Sequence, residues 1–179
     1  MLMRPFQTIV PALLLALTIP SPGHAQEADP ADVESIGAII TAVYDVISGE
    51  AGEERDWDRW HSLFAPNATL SSIGRDRDGN VGRSLMTPET WVEGAGAAIT
   101  RDGFVEAEIG RVTEGYGLIA HAFSTYESYR SASDAEPFAR GINSFQLMND
   151  GDRWWVVSVF WQGEGPSNPI PAKYVGEIR

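Results

Sequence analysis

The side chains best suited to chemistry lie in apolar stretches of the second half of the chain. His121 stands in "LIAHAFSTYE" and shares one strand face with Ile119 and Phe123, because alternate residues of a strand point to the same side. A neutral imidazole in apolar surroundings can act as a general base near pH 7. The alternative is a core histidine whose ring nitrogens bond a carbonyl or a hydroxyl group.

Arg140 and Asn143 occur in "ARGINSF" and would face opposite sides of a regular strand. Gly141 could mark a bulge that brings both side chains to one face. An inward Arg140 favours an anionic or carbonyl-bearing ligand, whereas an outward one forms an ion pair with one of the 25 acidic residues. Asn143 would orient a ligand or satisfy the backbone at the bulge.

Several classes of site lack their usual residues. The late strands carry no aspartate at an inward apolar position, so an acid–base carboxylate for proton transfer is not evident. Neither a His-x-x-x-His nor a His-x-His spacing occurs, and we expect no metal and no cofactor. There is no phosphate-binding glycine loop and no Gly-x-Ser-x-Gly elbow, so nucleotide binding and serine hydrolysis are not expected.

Helical patterns fill the first half of the chain. Apolar residues recur in steps of three and four from Val33 to Ile47, which predicts an amphipathic helix. Asp56 is a good N-cap for a second helix, "WDRWHSLF". Thr87 and Pro88 begin a third helix, "TPETWVEGAGAAI".

Strand patterns follow. Asp78-Gly79 in the stretch before the third helix indicates a hairpin turn. Four strands are then predicted: "FVEAEIGRV", "YGLIAHAFSTYESYR", "FARGINSFQLM" and "RWWVVSVFWQ". Helices grouped before strands favour an α+β domain, with a curved antiparallel sheet and the three helices on its concave face.

The last strand is apolar on both faces. One set is Trp154, Val156, Ser158 and Phe160; the other is Trp155, Val157, Val159 and Trp161. Helices can cover only one face of a sheet. We therefore expect the outer face to meet either a second copy of the chain, in a homodimer, or the C-terminal tail.

Three stretches in this order resemble the nuclear transport factor 2-like (NTF2-like) superfamily, with its polyketide-cyclase-like and ketosteroid-isomerase-like members. They are "DWDRWHSLFAPNATL", "MTPETWVEG" and "NDGDRWWVVSVFW". The string "RGINSFQL…RWWVVSVFW" is similar to an exported, uncharacterised subgroup. The resemblance covers roughly residues 33–162 and implies a cone whose sheet curls around a pocket closed by the helices.

The resemblance also suggests roles for particular residues. Isomerase-like members place a tyrosine on the first helix as a hydrogen-bond donor to an oxyanion, and Tyr44 lies there. The fold itself specifies no reaction, since its members include isomerases, dehydratases, cyclases, epoxide hydrolases and binding modules. The expected ligand-binding side chains are Trp60, Trp91, Phe123, Asn143 and Trp161.

The two ends of the chain have their own patterns. Residues 1–25 carry Arg4, an apolar run from Ile9 to Ile19 and small residues before a cut after Ala25, as a secretory signal peptide does. Residues 26–32 are expected to be a loose leader, residues 33–162 the domain, and residues 163–179 a tail packed on it. Absence of cysteine excludes a lipoprotein terminus, so no membrane anchor is expected after cleavage.

The net charge and the predicted export limit the classes of binding partner. The net charge of −12, lowered by one when Arg4 is removed, disfavours nucleic acid and anionic membranes. The sequence predicts a periplasmic or secreted bacterial protein that binds a hydrophobic or aromatic small molecule. Two alternatives stay open. One is a cofactor-free lyase, isomerase or cyclase with His121 as base and Tyr44 or Arg140 as oxyanion stabiliser; the other is a dimeric interaction module.

Overall fold

The computed structural model describes residues 27–178 and has the order helix, helix, hairpin, helix, then four strands. The helices are α1 (Pro30–Val33), α2 (Ile36–Ile47), α3 (Trp57–Ser62), α4 (Pro88–Trp91) and α5 (Ala97–Asp102), the last two joined by a π-helical turn (Val92–Gly96). The strands are β1 (Phe64–Arg75), β2 (Val81–Arg83), β3 (Val105–Tyr116), β4 (Ile119–Tyr129), β5 (Ala139–Asn149) and β6 (Trp154–Gly163), and a 3₁₀ turn (Ala172–Tyr174) follows.

The strands form one six-stranded sheet in the order β2-β1-β6-β5-β4-β3. Neighbours run antiparallel except β1 and β6, which are parallel. Four strands and the helices α4 and α5 separate β1 from β6 in the chain. The predicted α+β class and curved sheet are confirmed. The predicted hairpin turn is present too, with Gly79 at a φ of 86°.

Helix α2 packs on the inner face of the sheet as its apolar periodicity requires. Its buried side chains include Ile39, Ile40 and Val43, and the ring of Tyr44 meets that of Phe145 edge-on at 6.2 Å. Full burial of each such side chain contributes roughly 1.5–3 kcal/mol. Asp56 caps α3 and Thr87 caps α4, both as predicted.

Strict alternation along β6 is broken by a bulge. Gln146 pairs with Ser158 but Leu147 pairs with Val156, which leaves Val157 unpaired. An extra residue shifts every later side chain to the other face. The inner face of β6 therefore carries residues from both predicted sets, namely Trp154, Val156, Val159 and Trp161, while Trp155, Val157 and Phe160 face outward.

The C-terminal tail contacts the outer face of the sheet. The Thr125 hydroxyl on the outer face donates to the carbonyl of Tyr174 at 2.7 Å, and the Arg111 amide donates to the carbonyl of Glu177 at 2.7 Å. Val157 and Phe160 stay 39% and 41% exposed, so the tail covers only part of this face. The homodimer stays a prediction.

The N-terminal side differs from the expectation of a loose leader. Ala28 is buried, and Asp29 caps α1 through a bond from the Ala31 amide, so residues 27–33 pack on the domain. The predicted signal peptide lies outside the described residues. Within residues 27–178, no helix is long and apolar enough to cross a membrane.

Gly103 fixes the start of β3, the strand that carries the site described below. Its φ of 75° and ψ of 142° belong to a region that is almost exclusive to glycine. A Cβ at this position would also lie 2.2 Å from the carbonyl oxygen of Arg130. Backbone strain and close approach therefore act together here.

We expect Gly103→Ala to lower the free energy of unfolding by about 3 kcal/mol or more. Gly52→Ala is the matched control, because Gly52 has a φ of 84° but open space around its Cα. Its cost is strain alone, about 1–2 kcal/mol. Urea unfolding of both variants measures the difference, and equal losses would contradict the role of the close approach.

Candidate functional site

Two carboxyl groups lie on the inner face of the cone, contrary to the expectation that none is evident there. Glu106 and Glu108 are two residues apart on β3, so they share a face, and that face is the inner one. The sequence signal was the alternation of "VEAEI", which tells which residues share a face. It does not tell which face is inside, because the edge strand is covered by α2 only once the cone has formed.

Glu106 is held by two hydrogen bonds. The Ser128 hydroxyl donates to its Oε2 at 2.9 Å, and Asn143 Nδ2 donates to its Oε1 at 3.3 Å. Asn143 Nδ2 also donates to the hydroxyl oxygen of Tyr44 at 3.0 Å. One amide therefore joins the carboxyl group on β3 to the tyrosine on α2.

A second chain of bonds continues from Tyr44. Ser124 lies 2.7 Å from the Tyr44 hydroxyl and donates its own proton to Glu108. Arg111 pairs with Glu108 at 3.0 Å and favours its ionised form. With the Ser124 proton engaged there, Tyr44 donates to Ser124. Tyr44 is thus inside the cone as expected, but its proton is committed to the protein, which argues against its predicted oxyanion role.

Burial governs the titration of Glu106. It raises the pKa of the carboxyl group from 4.5 to about 7, and the bonds from Ser128 and Asn143 lower it only in part. Burial also raises the pKa of Glu108, against the pull of Ser124 and Arg111. At neutral pH Glu106 is therefore present in both protonation states and can accept or donate a proton.

Glu106 and Asn143 line an inner cavity of ≈ 140 Å³. Its wall is otherwise apolar or aromatic and holds neither lysine nor arginine among the described residues. The complete lining is Val43, Ile47, Trp60, Leu70, Trp91, Phe104, Glu106, Tyr126, Asn143, Phe145, Val159 and Trp161.

Four of the five predicted ligand-binding residues reach this cavity. Trp60, Trp91, Asn143 and Trp161 line it, and the rings of Trp60 and Trp91 stack with centroids 4.8 Å apart. Phe123 does not reach it. Its ring lies on the outer face, 5.6 Å from the ring of Tyr174 in the tail.

His121 also lies outside the cone, so its predicted inward placement is wrong. The inner positions of β4 are the even-numbered residues from Ala120 to Ser128, and His121 points the other way. Its side chain is 43% exposed and its Nε2 lies 3.7 Å from Glu114. An exposed imidazole on this face cannot act on a molecule in the inner cavity.

Arg140 lies on the outer face as well. Its guanidinium pairs with Glu127 at 3.0 Å and with Glu164 at 3.2 Å, which is the ion-pair alternative considered above. The pairing of β5 with β4 is regular at Gly141, so the bulge considered as an alternative is absent there. Arg140 and Asn143 consequently stay on opposite faces, and Arg140 is excluded as an oxyanion stabiliser of the inner cavity.

Metal binding finds no support in the described part of the chain. Among residues 27–178, no group of three or more histidine, cysteine, aspartate or glutamate side chains could hold a metal ion. The inner carboxyl groups bond to serine, asparagine and arginine instead.

Comparison with known proteins agrees on the fold. No protein-family model and no curated protein matches the chain. A protein of unknown function with a cystatin-like fold from Nostoc punctiforme is similar, with TM-score 0.54, 15% identity, and coverage of 80% of this chain and 98% of that one. An uncharacterised protein with a cystatin-like fold from Caulobacter vibrioides gives TM-score 0.52 and 14% identity, covering 75% and 90%.

The similar structures also include an NTF2-like protein of unknown function from Shewanella baltica. Its TM-score is 0.48 and its identity 15%, with coverage of 73% of this chain and 91% of that one. At such identities the likeness concerns the fold alone. The chemistry of this chain therefore has to be argued from its own residues.

The raised pKa of Glu106 predicts how stability depends on pH. The folded chain holds this proton up to about pH 7 and the unfolded chain releases it near 4.5, so the free energy of unfolding falls as pH rises through this window. We expect Glu106→Gln to remove roughly 3 kcal/mol of this fall between about pH 4 and pH 8.

Urea unfolding at a series of pH values tests this expectation. Glu114→Gln on the same strand is the control, because the side chain of Glu114 is 76% exposed. The raised pKa of Glu108 also makes the free energy of unfolding fall with pH, by a smaller amount. This smaller fall remains in both Glu106→Gln and Glu114→Gln. Parallel pH curves for the wild type and Glu106→Gln would show that Glu106 titrates like an ordinary surface carboxyl group.

Proposed function

We propose that the chain is a small-molecule-binding cone domain whose ligand occupies the inner cavity. The observation that carries this proposal is the composition of the cavity wall, which is aromatic and aliphatic with a few convergent polar groups. Ligand sites commonly have this composition. The cavity lies between the helices α2, α3 and α4 and the inner face of the sheet.

The size of the cavity limits the ligand. A volume of ≈ 140 Å³ is smaller than the roughly 300–1,000 Å³ typical of drug-sized ligands. A cavity of about 150 Å³ can take up a molecule as small as benzene. The ligand that fits is hydrophobic, compact and about one ring in size, and the tryptophans of the wall suit an aromatic or alicyclic ring.

A second candidate function is cofactor-free proton transfer in the same cavity. Glu106 favours it, since a carboxyl group with a pKa of about 7 can remove and return a proton at neutral pH. The reaction would be of the isomerase, lyase or cyclase type, with Glu106 as general base in the place first considered for His121. Asn143, bound to the same carboxyl group, would position it.

Export and assembly complete the proposal. The sequence pattern of residues 1–25 supports a signal peptide, and with it a periplasmic or secreted location. The exposed side chains of Val157 and Phe160 are compatible with a homodimer through the outer face of the sheet. An interaction module would use that outer face, and a ligand-binding domain uses the inner one.

Filling the cavity tests the binding proposal. Val43 is buried and lines the cavity, so Val43→Phe should weaken binding of a one-ring ligand such as cyclohexanone by about tenfold or more. Quenching of the intrinsic tryptophan fluorescence reports the binding. Val157→Phe on the outer face is the matched control and should bind normally. Equal affinities of the two variants would place the ligand elsewhere.

Proton transfer has its own test. The wild-type chain should accelerate exchange of the α-protons of cyclohexanone for deuterium, with a rate that rises with pH through the pKa of about 7. Glu106→Gln should lower the protein-catalysed rate by about 100-fold or more, whereas Glu114→Gln should leave it unchanged. Proton NMR measures the exchange, and an unaltered rate in Glu106→Gln would rule out Glu106 as the base.

A further inference from the structure

Tyr126 lines the inner cavity with a hydroxyl that no described residue engages. The residue is only 7% exposed, and its side chain forms no hydrogen bond within residues 27–178. A hydroxyl that has no protein partner and belongs to the lining of a largely apolar cavity can still donate its one proton. A group supplied by a bound molecule would satisfy it.

Two other donors around the cavity are already engaged. Asn143 Nδ2 bonds to Tyr44 and Glu106, and the indole nitrogen of Trp60 donates to the carbonyl of Pro88 at 3.2 Å. Tyr44 itself is in contact with Ser124 and does not line the cavity. Tyr126 is therefore the tyrosine of the cavity lining whose hydroxyl no described residue engages.

Gly141 makes room for this arrangement. It pairs with Tyr126 across β4 and β5, and a Cβ at Gly141 would lie 2.4 Å from the Tyr126 hydroxyl oxygen. The same Cβ would lie 2.5 Å from the carbonyl oxygen of Gln162. The tyrosine ring consequently lies across a glycine on the inner face of β5.

We propose that Tyr126, rather than Tyr44, is the hydrogen-bond donor for the ligand, and that the ligand is a compact apolar molecule with one neutral acceptor oxygen, such as a ketone. This inference rests on the proposed binding function. Burial and the nearby Glu106 raise the pKa of Tyr126 to about 12, so the phenol keeps its proton at neutral pH. Glu106 and the absence of lysine and arginine from the lining, among the described residues, disfavour an anionic ligand.

Two probes of equal size separate the hydrogen bond from the fit of the ring. Cyclohexanone and methylcyclohexane have the same number of heavy atoms, and only the ketone carries an acceptor. Loss of one neutral hydrogen bond, about 1 kcal/mol, corresponds to about fivefold in affinity. Tyr126→Phe should therefore weaken cyclohexanone binding about fivefold and leave methylcyclohexane binding unchanged. Tyr44→Phe is the control and should leave the affinity ratio of the two probes unchanged.

The outcomes are distinct. A fivefold loss of cyclohexanone affinity in Tyr126→Phe, with unchanged methylcyclohexane affinity, supports the inference. Binding of both probes with an unchanged affinity ratio in Tyr126→Phe overturns the inference and leaves the binding function standing. No binding of either probe to the wild type overturns both.

A measurement on the wild type guards against a variant that fails to fold. The ¹³Cζ resonance of Tyr126 in tyrosine-labelled protein should shift on addition of cyclohexanone and stay in place with methylcyclohexane. The Tyr44 resonance should move with neither probe. A shift of Tyr44 alone would assign the donor to α2 and overturn the inference.

Discussion

Burial of the Glu106 carboxyl group is the constraint on which the rest of the inner face depends. An ionised carboxylate in apolar surroundings is strongly disfavoured unless hydrogen bonds or a counter-charge support it. Here the support is partial: Ser128 and Asn143 each donate one bond, and the pKa still rises to about 7. A fully compensated carboxylate would titrate near its ordinary value and would be inert as an acid or base at neutral pH.

The neighbouring Glu108 shows the contrast. It receives the Ser124 hydroxyl and the guanidinium of Arg111, so its charge has a counter-charge within 3.0 Å. Arg111 is buried in turn, and its backbone amide ties it to the C-terminal tail. We interpret this pair as a structural anchor of the sheet edge. Glu106 has no cation within bonding distance among the described residues, and it is the carboxyl group on which the proposed proton transfer would depend.

The hydrogen bonds of the inner face also decide which hydroxyl a ligand can meet. Directionality matters, since each hydroxyl has one proton to give. Tyr44 gives its proton to Ser124 because Ser124 gives its own to Glu108. The hydroxyl of Tyr126 forms no hydrogen bond to another described residue. The space over Gly141 accommodates the ring of Tyr126, and this residue lines the cavity. Under the proposed binding function, Tyr44 serves stability and Tyr126 serves ligand recognition.

The sequence by itself determined the elements and their periodicity. The steps of three and four along α2, the caps at Asp56 and Thr87, and the alternating strands are local patterns, and local sterics and hydrogen bonding enforce them. The order of those elements favoured an α+β domain, and the resemblance to the NTF2-like superfamily implied the cone. Four of the aromatic and polar side chains expected to bind a ligand lie at the inner cavity, namely Trp60, Trp91, Asn143 and Trp161.

Only the tertiary structure decided which face of each strand is inside. A period of two assigns residues to a common face without saying which face is buried. His121 and Phe123 were therefore expected on the wrong side of the sheet, and the side of Arg140 stayed open. The unforeseen bulge in β6 reversed the faces of the residues after it. Glu106 became a buried carboxyl group because α2 closes over the edge strand β3, and its desolvation arises from contacts between residues that are far apart in the chain.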